Sequence, residues 1–142
     1  MQNYSISCAI EDMQLSVIHG YIKQSYWAKN IPLATMAKAI EHSLCFGIFD
    51  ENQQQVAFAR MITDRATFAY LADVFVLPEH RSKGLSKRLM KSIMLHPELQ
   101  GIRRMVLATS DAHGLYEQFG FKALAKADIF MEVHNASVYQ SS

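Results

Sequence analysis

Apolar positions along this chain change their spacing several times, and each change marks an element. Over residues 13–23, Leu15, Ile18 and Ile22 recur at helical spacing, which predicts a helix with one buried stripe. Pro32 suits the first turn of a second helix, whose stripe runs Leu33, Met36, Ala37 and Ile40. Residues 4–9 read as a short strand ahead of both. Residues 44–49 and 56–62 are strand-like runs joined by the turn Asp50-Glu51-Asn52, so they read as a hairpin. After a turn at Asp64-Arg65, residues 68–77 are apolar on both faces apart from Asp73, the pattern of a central strand covered on both sides. A helix from Gly84 to about Leu95 ends before Pro97, and a loop through Gly101 leads to a strand around Met105. A helix over 112–119 closes at Gly120, the residue type that ends helices in a left-handed conformation. Residues 123–125 and 129–133 read as a final strand pair, and the polar tail over 136–142 as frayed. The order is β-α-α-β-β-β-α-β-α-β-β, a single domain over residues 1–142.

Chemistry concentrates where the central strand gives way to the third helix, at Phe75-Val76-Leu77-Pro78-Glu79-His80-Arg81-Ser82-Lys83-Gly84-Leu85-Ser86-Lys87-Arg88. A helix N-terminus carries roughly half a positive charge, and an ordinary helix answers it with Asp or Glu. This one is preceded by His80 and surrounded by Arg81, Lys83, Lys87 and Arg88. Positive charge gathered on a positive helix end fits an anion between them, and unpaired N–H groups at a glycine-containing turn cradle a phosphate. The spacing is neither Gly-x-x-x-x-Gly-Lys-Ser/Thr nor Gly-x-Gly-x-x-Gly. The competing reading of this segment alone is a solvated basic turn that caps a helix.

The string Val76-x-Pro78-x-x-Arg81-x-x-Gly84-x-Ser86 resembles the acetyl-CoA pyrophosphate loop of the GNAT family of N-acetyltransferases, with Ser86 where that loop usually has Gly or Ala. One helix and one strand later, Leu115-Tyr116-Glu117-Gln118-Phe119-Gly120-Phe121 is similar to the Tyr-Glu-Lys-x-Gly-Phe signature of the same family. The resemblance is strongest over residues 68–121. It implies the GNAT α/β fold, a mixed and mostly antiparallel sheet with one splayed strand pair. It also implies acetyl-CoA as cosubstrate, with backbone N–H groups of Ser82, Lys83, Gly84, Leu85 and Ser86 on the pyrophosphate and Arg81 opening the turn. Lys83 or Arg88 would then meet nucleotide phosphates, and Phe75 and Val76 would offer strand-edge groups to the pantetheine arm. Thr109 stands where the family usually has an Asn beside that arm.

In acetyl transfer a neutral amine attacks the thioester and a thiolate leaves. Tyr116 occupies the family position of the acid that protonates the thiolate, the bland alternative being a packing tyrosine. A lysine-like amine has a pKa of about 10.4 and needs help to lose its proton near neutrality. Asp73 is the one charged residue of the central strand; it reads either as that base or as a structural partner of a backbone amide or basic side chain. The resemblance puts the acceptor pocket at the first two helices and the hairpin, where Trp27, Arg60 and Tyr70 are the candidate lining residues.

Composition narrows the rest. Half of the 142 residues are hydrophobic and 19% charged, so a packed domain rather than a disordered chain is expected. Net charge is +1, which speaks against a protein built to neutralise nucleic acid. No apolar run approaches a membrane span, and the first residues lack the pattern of a secretory signal. Cys8 and Cys45 are too few for a disulfide framework and read as reduced thiols of a cytoplasmic protein. The six histidines are scattered without metal-ligand spacing, so no metal is expected. The expected partner is a small-molecule or peptide amine, for a monomer or homodimer. A catalytically silent CoA-binding module of the same fold, or an unrelated phosphate or nucleic-acid binder, are the alternatives.

Overall fold

The computed structural model describes residues 3–140. Positions 1, 2, 141 and 142, which the expected domain and the expected tail include, lie outside the described residues. Five strands, β1 (Ser5–Ser7), β2 (Leu44–Phe49), β3 (Gln55–Thr63), β4 (Phe68–Val76) and β5 (Arg104–Leu107), form one sheet in sequence order. The pairings β1–β2, β2–β3 and β3–β4 are antiparallel, and β4–β5 is parallel. The helices are α1 (Leu15–Ile22), α2 (Leu33–Glu41), α3 (Leu85–Leu95) and α4 (His113–Glu117).

The sheet is covered on both faces, which is why β2 is buried throughout and reads as a continuous apolar run rather than an alternation. Leu44, Phe46 and Ile48 face α3 and pack with Leu85, Leu89, Met90 and Ile93. On the opposite face Cys45, Phe58 and Phe75 pack with Ile18, Ile22, Met36 and Ile40 of α1 and α2. The expected elements are present through Gly120, which takes φ 95° and closes α4 with its N–H donating to the Glu117 carbonyl.

Two features of the sheet build the site. Arg60 faces Ala72 and Phe58 faces Phe75, so two β4 residues, Asp73 and Val74, stand opposite the single Ala59. Such a bulge reverses the face onto which the following side chains project. Strict alternation would send Asp73 after Ala69 and Leu71 into the α3 core. The bulge, with Asp73 at φ 56°, turns it to the α1–α2 face instead. Second, β4 and β5 pair only from Phe68 to Leu71. Beyond that point the two parallel strands part and leave a wedge between residues 72–76 and 108–112.

The C-terminal expectations need correction. Residues 123–125 and 129–133 do not form strands: Ala127–Ile129 is a single turn of 3-10 helix, and no strand among the described residues pairs with the residues on either side. Nor is the described part of the tail free. Residues 135–140 form turns, and Tyr139 packs against the α1–α2 cluster. No helix among the described residues is long and apolar enough to cross a membrane.

Candidate active site

The loop between β4 and α3 is shaped by two left-handed residues, Ser82 at φ 64° and Gly84 at φ 76°. Gly84 is the residue before α3, and no acidic side chain occupies that helix's first turn. Among the described residues, the N–H groups of Ser82, Gly84, Leu85, Ser86 and Lys87 have no hydrogen-bond acceptor; the helical ladder begins with Arg88 N–H donating to Gly84. A Cβ placed on Gly84 would meet nothing within 4 Å, so the space beside it is open to a ligand. Converging unpaired amides on a basic turn suit a diphosphate.

Not every basic residue named for that role points there. Arg81 Nε donates to the Val76 carbonyl at 3.0 Å, and one of its Nη atoms to the Tyr21 hydroxyl at 3.0 Å. Arg81 therefore ties the loop to β4 and α1, and the Val76 carbonyl is already engaged. Arg88 donates to the Tyr4 carbonyl at 3.3 Å and holds the N-terminal strand. Phe75 is buried and its ring stacks on Tyr21, with centroids 4.2 Å apart.

Two cavities follow from the wedge and the loop. The larger, about 930 Å³, runs between the β4 bulge, the α1–α2 loop and residues 107–112. The smaller, about 510 Å³, lies over the loop amides and the start of α3. They share Tyr21, Val74, Arg81, Ala112 and Tyr116, so Tyr116 stands where they meet. Helix α4 places it there, only 8% exposed, with its ring edge-on to Phe121. Its hydroxyl has no hydrogen-bond partner among the described residues. Burial pushes the Tyr116 phenol above its ordinary value, and the Asp111 carboxylate adds to the push, so it stays a proton donor through neutral pH.

Asp73 forms the floor of the larger cavity. Its two carboxylate oxygens accept from Trp27 Nε1 and from Arg60 Nε, each at 2.8 Å. The structural partner that the sequence left open for this residue is thus Arg60, backed by an indole. Arg60 also donates to the Ser43 hydroxyl at 3.2 Å. It sits behind Asp73 and does not line the cavity, unlike Trp27 and Tyr70, so its expected place on the pocket wall is corrected. The Thr109 hydroxyl lines the cavity and accepts from the N–H groups of Asp111 and Ala112, shaping the loop into α4.

Three contacts were not singled out from the sequence. Tyr26 meets the Ser110 hydroxyl at 3.0 Å, bridging the α1–α2 loop to the β5–α4 loop over the larger cavity. Tyr26 also packs edge-on against Trp27. Tyr21 links Arg81 to Phe75. No local pattern signals the Tyr26–Ser110, Tyr21–Arg81 and Tyr21–Phe75 pairings, because each joins residues dozens of positions apart. No group of three or more His, Cys, Asp or Glu side chains among the described residues is placed to hold a metal ion.

A family model described as Acetyltransferase (GNAT) domain matches residues 41–123, more than half of the chain. The chain belongs to the GNAT acetyltransferase family. The GNAT assignment is carried along the full length by a Xanthomonas campestris pv. campestris acetyltransferase of the GNAT family, 51% identical. It superposes with a TM-score of 0.95 over 99% of each chain. A Gibberella zeae protein named as an acetyltransferase is 30% identical over 89% of this chain and 83% of its own. A Clostridium acetobutylicum acetyltransferase described with acetyl-CoA shares the fold alone, at 16% identity and a TM-score of 0.64 over 94% and 96% of the two chains.

Proposed function

We propose that this GNAT protein transfers an acetyl group from acetyl-CoA to a primary amine, with Tyr116 as the general acid. The observation that carries the reading is the placement of Tyr116. A buried, protonated phenol without a hydrogen-bond partner among the described residues stands between a cavity floored by unpaired amides and a cavity walled by aromatic rings. The amides of Ser82 and residues 84–87 suit the pyrophosphate, and the wedge between β4 and β5 suits an extended arm reaching toward Tyr116. The Clostridium neighbour's acetyl-CoA supports the same cosubstrate here.

The acceptor amine enters the larger cavity past Tyr26, Trp27 and Tyr70, whose ring faces attract a cationic amine. Asp73, held by Trp27 and Arg60, adds negative charge at the floor. Once neutral, the amine attacks the thioester carbon: the N–C bond forms, the C–S bond breaks, and sulfur takes the Tyr116 proton. The nitrogen sheds its proton to solvent, from which Tyr116 is reprotonated. Asp73 acts here as a positioning group, with water relaying the proton from the amine.

A thermal-shift series with CoA tests the binding half of this reading. CoA is expected to raise the melting temperature by mass action, and the effect should shrink as salt screens the basic loop. No response to millimolar CoA in folded protein would overturn the proposal.

A further inference from the structure

Tyr21 stands at the junction of the two cavities, yet it neither holds the pyrophosphate nor moves a proton. It lies near the end of α1 and lines both cavities, together with Val74, Arg81, Ala112 and Tyr116. Val74 belongs to β4, Ala112 and Tyr116 to α4 and the residue before it, and Arg81 to the loop between β4 and α3. Among the described residues, Tyr21 alone of this set closes the junction from the α1 side.

Its ring is held from two directions. It stacks on Phe75 with centroids 4.2 Å apart and planes 11° apart. Phe75 packs in turn against the fully buried Phe58, with centroids 6.0 Å apart, inside the α1–α2 cluster. The Tyr21 hydroxyl accepts from an Arg81 Nη at 3.0 Å, and Arg81 Nε is itself tied to the Val76 carbonyl. Swinging the ring aside gives up the stack and the hydrogen bond together, and the close-packed core behind it leaves no room to retreat.

The acyl group must lie against this wall. With Tyr116 as the acid, sulfur stands beside the Tyr116 hydroxyl, and the acyl carbon one bond away lies at the same junction. The smaller cavity is filled by the cofactor's own chain, and the larger one is the amine's line of approach. The side that is left is the α1 side, where Tyr21 stands.

We propose that Tyr21 is a specificity-determining residue that limits the transferred group to acetyl, an inference that rests on the acetyl-CoA reading of the two cavities. A longer acyl chain meets a ring that cannot yield. One methylene more than a pocket accommodates is worth roughly ten- to two-hundredfold in discrimination.

Calorimetry on the full chain with CoA, acetyl-CoA and butyryl-CoA tests this without an acceptor. The unsubstituted chain is expected to bind butyryl-CoA at least about tenfold more weakly than acetyl-CoA. Tyr21→Ala should bring the two within about threefold of each other. Tyr21→Phe, which keeps the ring and loses the bond to Arg81, should retain the preference for acetyl-CoA. Should Tyr21→Ala fold poorly, Tyr21→Leu, shorter than the ring and still apolar against Phe75, decides in its place. Equal binding of the two thioesters by the unsubstituted chain overturns the proposal and leaves the acetyl-CoA reading standing. A preference that survives the loss of the ring overturns it as well, as does one lost in Tyr21→Phe, which would put discrimination in the Arg81 link. A folded chain that binds neither CoA nor its thioesters overturns both this inference and the reading beneath it.

Discussion

A phenol serves as an acid only while it keeps its proton, and the position of Tyr116 secures that. Tyr116→Phe removes one hydroxyl and keeps the ring against Phe121, so the core around α4 should survive. If this hydroxyl protonates the leaving thiolate, kcat should fall about a hundred- to ten-thousand-fold while KM for acetyl-CoA barely moves. Steady-state kinetics on a good acceptor checks it, and a loss below about threefold would leave Tyr116 a packing residue. The same substitution has a stability signature. The folded-state pKa of Tyr116 is raised by burial, so above the ordinary value of about 10 the unfolded chain gives up this proton first. The stabilising contribution is full below that pH and is lost as pH rises through the folded value. Urea titrations at pH 8 and at strongly alkaline pH should therefore show a smaller alkaline loss in Tyr116→Phe than in the parent chain. Tyr116 was legible in the sequence because its neighbours form a contiguous motif. The partners of Asp73 were not, since Trp27 and Arg60 lie on other elements and only the β4 bulge brings them together.

At the scale of elements, the loop between β4 and α3 and the β4 bulge make separate claims. Gly84 holds φ 76° with open space beside it, so a β-branched residue there both strains the backbone and occupies the ligand's approach. Gly84→Val is expected to weaken acetyl-CoA binding at least about tenfold, near 1.4 kcal/mol, in calorimetry on folded protein; unchanged affinity would remove the loop from the binding site. At the bulge, Asp73→Asn breaks a buried charge pair and leaves the Arg60 guanidinium, only 15% exposed, without its counter-charge. A loss of about 3–5 kcal/mol is expected for breaking such a pair, present at all pH values between 6 and 9 in denaturant titrations. A rate defect that high pH rescues, with stability intact, would instead make Asp73 the base. The strands and helices themselves followed from apolar spacing, because burial on one or two faces leaves a periodic trace. Bulges leave none, and the chain's own Asp73 pointed to the site without revealing which face it served.

Across the whole molecule, α3 packs on one face of the sheet and α1 with α2 on the other, and the splay of β4 from β5 opens the wedge between them. The spacing of apolar residues foretold the order of elements through Gly120, and the resemblance to the GNAT family implied the single splayed pair. It failed beyond that point because strand period at 129–133 is a property of the residues, whereas a ladder needs a neighbour that the described residues do not supply. The acceptor-facing wall was less legible than the loop, since Tyr26 and Trp27, Tyr70, and Ser110 converge from three separate segments. The central claim is acetyl transfer to an amine with Tyr116 as the acid. Its most direct test incubates purified protein with acetyl-CoA and a mixed pool of amines and follows the products by mass spectrometry. The expected result is at least one amine heavier by one acetyl group, free CoA in equal amount, and strong suppression of both in Tyr116→Phe. Saturating acetyl-CoA that binds but yields no acetylated amine from a chemically broad pool would contradict the account.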